Sequence, residues 1–578
     1  MLIAILCALA LALAAPAQAS ATENFANEPP FGGQLPPPLE RPPSLSRPPA
    51  GFTLTGRQAI AAANRADAVQ AERAESPGMY PIVFERGDSW QVSYFTGPDA
   101  NRTEVAQAIV GGRTGQVLGA WHDTQLTDPL ARGYSGAIAQ KVNAPYVWLP
   151  LCLLFLVPFV DPRRLFRLLH LDLLVLLGLG VSLFFYNRAE ITASVALTYP
   201  VLIYVFARML WSGIWPRERD GPLIPVIPLR WVAIAAIALA CARIALNIVD
   251  SHVIDIGVAG VVGADHITHG QNLYAGTFAQ GLAIRGDVYA PFNYLAYVPF
   301  ELIFPWSGHW GSVPAAHAAA ITFDLLTAVG LWVLGRRLRP GPQGKALGIG
   351  LAFAWLAYPF TLYTMNANAN DSLIAMLLVG AMLAVTSAPV RAIAVALASA
   401  AKFGPAALAP LFATGTGERR WRQAIVFSVV FLAVAAALVI PFLPPGGLRQ
   451  FYDHTLGYQA SRSSPFSVWG QAPSLHLLQS AERVIAAVLA LAVAFWPRRK
   501  TPAQIAALAA TVTIAVQLGA THWFYFYVVW FLPFALVMSF ALILWGLHPR
   551  LTAPDGTFSF IMMLRRCAFT VLCEIPSS

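Results

Sequence analysis

The segment 250–289 combines acidic and basic side chains that could carry out acid–base chemistry. It contains four aspartates and three histidines, in a chain in which only 12% of the residues are charged. The segment follows directly on the apolar run 231–249. Ionisable groups are costly to place beside a membrane helix, so a cluster of them marks a candidate functional site. A carboxylate there could act as a general base by accepting a proton from a hydroxyl group.

Three other polar segments carry groups that suit the binding of an anion or a sugar. They are 366–371, with the sequence NANAND, the long loop 449–471, and 521–523. Arginine binds phosphate through paired hydrogen bonds, which makes Arg449 and Arg462 candidates for contact with an anionic ligand. The alternative, that both are solvated loop arginines, stays open.

The composition is that of a membrane protein with many spans. Of the 578 residues, 57% are hydrophobic and the mean hydropathy is +0.58, whereas soluble chains carry about 25% charged residues. The net charge is +9, but the arginines lie in short loops between apolar runs, where the positive-inside rule accounts for them. We therefore expect no nucleic-acid binding. The five cysteines follow no metal-binding spacing.

The first 140 residues predict three regions outside the membrane bundle. Residues 1–19 are apolar and end in Ala-Gln-Ala, which predicts a signal peptide, with an uncleaved anchor as the alternative. The proline-rich residues 20–50 predict an extended linker. Residues 51–140 predict a small extracytoplasmic α+β domain, with a helix over 56–75 and a hairpin at the turn 111–115. This pattern resembles a PepSY-type domain, and we favour a spacer or interaction role for it over a catalytic one.

The rest of the chain predicts an all-α polytopic membrane bundle. Residues 145–230 predict accessory transmembrane helices, 231–546 the core of the bundle and 547–578 a cytoplasmic tail. We expect about eleven transmembrane helices, together with re-entrant and interfacial helices. The predicted spans are 145–161, 169–186, 191–211, 231–249, 312–335, 345–364, 372–388, 423–441, 480–496, 502–519 and 524–546.

The distribution of arginine predicts which way the bundle is oriented. With the N-terminal domain outside, alternation of the spans puts every arginine cluster on the cytoplasmic side. The four polar segments then lie together on the opposite face, so a site formed by them would face the periplasm or exterior. We therefore expect an integral protein of a bacterial inner or plasma membrane.

Two segments do not read as simple spans. Residues 391–412 are apolar but interrupted at 402–405, which predicts two half-helices that enter the bundle and return. Lys402 is expected on the cytoplasmic half, in a structural role, with its ammonium reaching towards lipid headgroups. Residues 290–306 are short and proline-rich, which predicts an interfacial helix with an aromatic belt on the outer leaflet.

The order of motifs resembles the GT-C superfamily of glycosyltransferases. An aspartate just past a span, Asp255, precedes Gly270-Gln-Asn-Leu-Tyr274 and Tyr289-Ala-Pro-Phe-Asn293-Tyr294. Then come NANAND, the segment around Lys402, the tract Arg462-Ser-Ser-Pro-Phe-Ser-Val-Trp469, and His522-Trp-Phe-Tyr525. Together they are similar to the polyprenyl-phosphate-mannose-dependent mannosyltransferase branch, over about residues 230–546.

The resemblance implies roles for individual residues. Asp255 would be the catalytic base, with Asp250 and Asp265 as rivals. His522 would hydrogen-bond the donor phosphate or the acceptor, unless it is a satisfied interfacial histidine. The residues that would bind donor or acceptor are Arg462, Arg449, Tyr274, Tyr289, Asn293, Asn370, Asp371, Trp469 and Tyr525. A packing or membrane-belt role for the tyrosines stays open.

The expected function is transfer of a sugar from a lipid carrier. ATP is not available outside the cytoplasm, so an extracytoplasmic reaction needs a donor that is already energised in the membrane. The resemblance implies a polyprenyl-phosphate sugar carrying mannose or a similar hexose or pentose, and a glycan, glycolipid or protein as acceptor. We predict no cofactor and no metal, because His266 and His269, three residues apart, would still need a third ligand.

A different class of function stays open. Asp172, Arg243 and Asp324 lie within apolar runs, as do the ionisable groups of transporters. The alternative is therefore a polytopic transporter or a lipid or glycolipid flippase without glycosyl-transfer chemistry. A sensor with an extracytoplasmic ligand-binding domain is a third possibility.

Overall fold

A computed structural model describes residues 39–98, 101–126, 129–132, 139–164, 166–216, 225–274, 278, 286–310, 312–416 and 420–543. The predicted signal peptide 1–19, most of the predicted linker 20–50 and the predicted tail 547–578 lie outside the described residues. The described chain forms a small sheet domain followed by a helical bundle, as the sequence predicts.

The N-terminal domain is a five-stranded antiparallel sheet packed against two helices. In chain order its elements are β1 (Leu39–Glu40), α1 (Gly56–Ala63), α2 (Asp67–Glu75), β2 (Tyr80–Arg86), β3 (Ser89–Thr96), β4 (Thr103–Gly111) and β5 (Val117–His122). The strands pair in sequence order, and the predicted hairpin between β4 and β5 is confirmed. The single helix expected over 56–75 is broken at 64–66. Residues 39–40 of the predicted linker pair with β2 as strand β1.

Trp90 on β3 anchors the core of this domain. Its side chain is fully buried, and its ring packs edge-on against Phe52 with centroids 4.9 Å apart. The indole N–H donates to the carbonyl of Leu54 at 3.1 Å, so the polar atom of the buried ring is satisfied. The likeness of this domain to a PepSY-type domain stays a prediction.

The bundle consists of helices that run from residue 140 to residue 543. The helices are α3 (Gln140–Asn143), α4 (Pro145–Leu156), α5 (Leu168–Tyr186), α6 (Ile191–Ile214), α7 (Leu229–Val249), α8 (Asp255–Thr268), α9 (Phe292–Leu295), α10 (Val298–Glu301), α11 (Pro314–Leu338), α12 (Gly341–Ala357), α13 (Pro359–Asn366), α14 (Asp371–Leu383), α15 (Ala388–Ala401), α16 (Ala409–Thr414), α17 (Arg420–Val439), α18 (Gly447–Tyr452), α19 (Tyr458–Ser461), α20 (Val468–Gln471), α21 (His476–Phe495), α22 (Pro502–Leu518) and α23 (Val528–Ile543).

Six of the described helices are long and apolar enough to cross a membrane. They are α5, α6, α7, α11, α17 and α21, and the pair α12 and α13, bent by 58°, would make a seventh. The other predicted spans coincide with shorter apolar helices such as α22, whose 17 residues cover about 25 Å of a hydrocarbon layer of about 30 Å. The expectation of about eleven spans is therefore not confirmed.

The accessory helices are packed onto the core by side-chain hydrogen bonds. The Tyr525 hydroxyl lies 2.7 Å from the Ser182 hydroxyl of α5 and 2.8 Å from the Ser194 hydroxyl of α6. Gln504 on α22 donates to the carbonyl of Gly213 on α6 at 3.0 Å. Polar groups buried between helices need such partners, so these contacts fix α5 and α6 against the core.

Two ion pairs join helices within the bundle. Arg243 on α7 and Asp324 on α11 form a buried ion pair with Nη2 and Oδ1 2.6 Å apart, and the indole of Trp355 donates to the same oxygen at 3.0 Å. Asp172 pairs with Arg208 at 3.1 Å. A buried pair is disrupted at high cost when one partner is lost. These residues therefore tie helices together.

The two predicted half-helices are present, but the position expected for Lys402 is wrong. Helix α15 ends at Ala401, and after a 3₁₀ turn over Gly404–Leu408 the chain returns as α16. The 14 residues of α15 span about 21 Å, most of a hydrocarbon layer of about 30 Å. Lys402 therefore reaches the end of the bundle at which α14 begins, where its Nζ lies 2.7 Å from Oδ1 of Asp371.

The interfacial helix expected over 290–306 is also only partly correct. The segment forms two single-turn helices, α9 and α10. Tyr294 and Tyr297 are fully buried inside the bundle, whereas Leu302 and Ile303 are about two-thirds exposed at 66% and 67%. The aromatic rings therefore serve the protein core and not a lipid-facing belt, because helix α8 covers them.

Candidate functional site

The polar segments that were expected on one face do lie together at one end of the bundle. We call this the site end, defined by residues 250–256, 286–294, 366–371, 402, 449–471 and 519–530. Three polar contacts between these segments are Asn366 to the carbonyl of Asp250 at 2.9 Å, Asn370 to Asn293, and Ser464 to His522 at 2.8 Å.

The NANAND segment holds the strand-like stretch that leads into Asp255. The amide of Asn368 donates to the hydroxyl of Ser251 and to the carbonyl of His252, both at 3.1 Å. Its carbonyl oxygen accepts from the amide of Asn247 at 3.0 Å. Asn368 has a φ of 53°, a left-handed conformation that asparagine adopts more readily than most residues. This clamp fixes the backbone that delivers Asp255.

Asp255 is the first residue of α8 and remains exposed while its neighbourhood is buried. Its Oδ1 accepts from the backbone N–H of Ile256 at 2.8 Å, and the helix N-terminus favours a carboxylate. Desolvation by the surrounding protein raises the pKa of the Asp255 carboxyl, and Arg462, the Ile256 N–H and Lys402 each oppose that rise. A raised pKa and an accessible carboxylate are what a general base requires.

Small residues let α8 approach the aromatic core closely. A methyl group on Gly260 would lie 2.6 Å from the ring of Tyr297, and one on Gly263 would overlap the ring of Tyr294. The hydroxyl of Tyr274 donates to the carbonyl of Tyr289 at 2.7 Å. The glycines thus allow α8 to pack against the segment 294–297, and the tyrosine hydrogen bond fixes Tyr274 to Tyr289.

The long loop 449–471 docks onto the segment 286–290 and brings Arg462 with it. Nδ1 of His454 lies within hydrogen-bond distance of Oδ2 of Asp287, and the ring of Phe451 packs edge-on against Tyr274 with centroids 5.1 Å apart. Arg462 is half-buried and acts electrostatically on Asp255, Tyr289 and His522. These contacts explain why an arginine distant in sequence lies near Asp255.

His522 is a neutral group within the same cluster. Its Nδ1 lies 2.8 Å from the hydroxyl of Ser464, and its ring packs edge-on against Phe466 at 5.6 Å. Burial lowers the pKa of His522 well below its ordinary value, and the positive charges of Arg462 and Lys402 lower it further. A neutral imidazole can donate one hydrogen bond and accept another at neutral pH.

Lys402 and Asp371 complete the cluster beneath these groups. Asp371 begins α14, is fully buried, and accepts from Lys402 at 2.7 Å and from the indole of Trp530 at 2.8 Å. The ammonium also lies 5.9 Å and 5.3 Å from the ring centroids of Tyr289 and Tyr527. We call Asp255, Tyr289, Asp371, Lys402, Arg462, His522 and Tyr527 the Asp255 cluster.

Several residues expected at the site lie outside the Asp255 cluster. Asp250 forms an ion pair with Lys141, and Asp265 lies about 15 Å further along α8, next to His269. Arg449 is exposed on α18. Trp469 donates to the carbonyl of Leu518 at 2.6 Å. Tyr274, Asn293, Asn370 and Tyr525 are buried and hydrogen-bonded to neighbouring residues.

Three residues of the site end received no chemical role from the sequence. The sequence indicates a structural role for Lys402 and assigns no role to Tyr527 or Trp530. One signal was available: a lysine that interrupts an apolar run just before Phe-Gly-Pro is costly unless it has a partner. The aromatic residues gave no signal, because the apolar run of α23 and the segment before it carry many rings.

An apolar groove opens beside the site end. It has a volume of about 580 Å³ and lies between α6, α21 and α22, with Trp211, Leu478 and Ala486 among its lining residues. Val468 and Leu518 form part of its wall; they lie six residues after Arg462 and four before His522. The segments that carry Arg462 and His522 therefore also contribute to the wall of the groove or lead directly into it.

The described residues do not group three His, Cys, Asp or Glu side chains in a way that could hold a metal ion. No curated protein matches the chain. Residues 288–521 match the model of glycosyltransferase family 87, a range that contains Asp371, Lys402 and Arg462, begins after Asp255 and ends one residue before His522. With the apolar helices of the bundle, this match supports a membrane glycosyltransferase.

Proposed function

We propose that the chain transfers a sugar from a polyprenyl-phosphate donor to an acceptor hydroxyl group, with Asp255 as the general base. The observation that carries the proposal is the proximity of an accessible carboxylate to the guanidinium of Arg462, each within electrostatic reach of the other. A base and a phosphate-binding cation are the two parts that such a reaction needs.

The apolar groove supports a lipid-linked donor. Its volume of about 580 Å³ lies in the range of ligand pockets, about 300–1,000 Å³. Its wall includes Val468 and Trp469, at the end of the tract that begins with Arg462. A polyprenyl chain bound in this groove would bring its phosphate towards the Asp255 cluster. The family match over 288–521 covers this tract.

The reaction needs one bond to form and one to break at the sugar. The acceptor oxygen attacks the anomeric carbon while its proton passes to the Asp255 carboxylate. The bond between that carbon and the phosphate oxygen breaks, and its electron pair stays on polyprenyl phosphate, where Arg462 stabilises the charge. Asp371, the other carboxylate of the Asp255 cluster, is engaged by Lys402, which favours a single displacement with inversion at the anomeric carbon.

His522 is suited to orient one of the reacting oxygens. Because its pKa is lowered, the imidazole stays neutral, and the hydroxyl of Ser464 at 2.8 Å fixes its ring. We propose a donor carrying mannose or a similar hexose or pentose, and a glycan, glycolipid or protein as acceptor, on the extracytoplasmic face of a bacterial inner or plasma membrane.

Substitution of the base tests the proposal. Asp255→Asn keeps the shape of the side chain but removes its ability to accept a proton, so transfer should fall by about 10²- to 10⁴-fold. The measurement is transfer of radiolabelled mannose from polyprenyl-phosphate mannose by purified protein in detergent. Detergent solution contains no transmembrane gradient, so sugar transfer there cannot come from transport.

Asp265→Asn is the matched control, because it makes the same change on the same helix about 15 Å away. We expect it to retain transfer within about threefold, the scatter of a surface change of well under 1 kcal/mol. Near wild-type transfer by Asp255→Asn would remove Asp255 from the mechanism. A large loss in Asp250→Asn at the same time would move the base to Asp250.

A further inference from the structure

Lys402 is a buried cation whose role is not accounted for by stability. Its side chain is 6% exposed, its partner Asp371 is fully buried, and their charged atoms are 2.7 Å apart. The second carboxylate oxygen of Asp371 has no hydrogen-bond partner among the described residues. A buried ion pair is weak evidence for stabilisation, because desolvation offsets the attraction. The pair therefore calls for another explanation.

Aromatic rings surround the ammonium of Lys402 within the Asp255 cluster. Its ammonium lies 5.3–5.9 Å from the ring centroids of Tyr289, Tyr527 and Trp530, within the range of a cation–π interaction. Tyr289 and Tyr527 are only half-buried. The cation therefore lies against two side chains that border the accessible part of the site.

Two cations act on the same pair of candidate reacting groups. Arg462 and Lys402 both lower the pKa of Asp255, against the effect of desolvation. Both also lower the pKa of His522. The two cations come from different parts of the chain, a loop between α19 and α20 and the break after α15. An anion bound beside Asp255 and His522 would experience both positive charges.

We propose that Lys402 and Arg462 together bind the phosphate of the lipid-linked donor, and that Asp371 is the counter-ion of Lys402 when no donor is bound. This inference rests on the proposed function. An ammonium has three N–H donors, so the hydrogen bond to Asp371 leaves two for phosphate oxygens. The departing phosphate gains negative charge as the glycosidic bond breaks, and a preorganised cation stabilises it.

Binding of a polyprenyl monophosphate tests the proposal, with the polyprenol of the same chain length as the probe that lacks the phosphate. The Kd of the polyprenol divided by the Kd of the polyprenyl monophosphate, here called the Kd ratio, measures how much the phosphate contributes to binding. Purified full-length protein is compared as wild type, Lys402→Met, Lys402→Arg and the double variant Lys402→Met/Asp371→Asn. Melting temperatures are measured alongside, because Lys402→Met leaves Asp371 buried without its counter-ion.

The double variant separates a binding role from a structural one. We expect it to recover the melting temperature lost in Lys402→Met and yet to lower the Kd ratio by roughly ten- to a hundredfold, the effect of losing one charge-assisted hydrogen bond. Lys402→Arg should retain part of the ratio. A wild-type ratio in the double variant would reduce Lys402 to a structural partner of Asp371. A ratio near one in the wild type would instead contradict the proposed donor.

Discussion

At the scale of single residues, the four aspartates of segment 250–289 differ in the side chains that surround them. Asp250 is paired with Lys141 and Asp287 with His454, while Asp265 lies beside His269. Desolvation raises the pKa of Asp255, and the positive charge of Arg462 opposes that rise. Its environment makes it costly to ionise, which suits a base that must release its negative charge during reaction.

The raised pKa of Asp255 predicts the pH dependence of transfer. The base works only when deprotonated, so kcat/KM should rise with pH through a pKa above the ordinary value of about 3.9 for aspartate. Arg462 lowers this pKa, so Arg462→Gln should move the acidic limb to higher pH. The measurement is kcat/KM for the labelled donor between about pH 4 and pH 8.

His522 provides the control for this profile. Its own pKa is lowered well below its ordinary value by burial, so its titration should not appear near pH 6.5. His522→Gln should therefore lower the rate without moving the acidic limb. If the acidic limb of the kcat/KM profile shifted in His522→Gln but not in Arg462→Gln, the titrating group would be the histidine.

The sequence predicted the residue types of the site better than their partners. Asp255, Arg462 and His522 were identified from their segments, and the structure brings them together. Lys402 was misplaced because the sequence shows a break in an apolar run but not how deep α15 reaches. The pairing of Asp287 with His454 joins residues 167 apart in the chain, and no local pattern encodes such a contact.

At the scale of elements, the helices were predictable and the turns that aim them were not. The predicted spans coincide with apolar runs, because the length and composition of a segment decide whether it can lie in the hydrocarbon layer. The site depends instead on short irregular stretches, such as the turn 367–370 between α13 and α14. Its geometry comes from side-chain hydrogen bonds to another loop, and asparagines alone do not specify their partners.

The clamp around Asn368 gives a prediction at this scale. Asn368→Gly removes the hydrogen bonds to Ser251, His252 and Asn247 but tolerates the positive φ, whereas Asn368→Ala also strains the backbone. Both variants should lower kcat, by up to about 100-fold if Asp255 shifts by about 1 Å, with little change in KM for the donor. Steady-state kinetics and melting temperatures measure these effects.

Comparison of the two variants shows whether the side chain or the backbone matters. The alanine variant should melt at a lower temperature than the glycine variant, because only alanine adds strain to the left-handed turn. A wild-type kcat in Asn368→Gly would mean that the clamp does not position Asp255. The turn conformation would then be the part of NANAND on which the site depends.

At the scale of the whole molecule, the accessory helices belong to the candidate donor site. Helix α6 lies within the accessory region, yet it forms one wall of the apolar groove with α21 and α22 of the core. Tyr525 fixes it there through Ser194. A division of the bundle at residue 230 therefore describes the order of the chain, whereas the groove requires both parts together.

Filling the groove should weaken binding of a long-chain donor while leaving the chemistry intact. Ala486 lines the groove, and Ala486→Trp would displace part of a bound polyprenyl chain at about 0.8 kcal/mol per buried CH₂. Displacing two such groups costs about 1.6 kcal/mol, so KM for a long-chain donor should rise roughly tenfold or more. KM for a donor with two isoprene units should change less, because a shorter chain fills less of the groove. Ala238→Trp on α7, where the side chain is exposed, is the matched control and should behave as wild type with both donors. Equal effects of Ala486→Trp on long and short donors would exclude the groove as the site of the lipid chain, since a mere loss of fold would not depend on chain length.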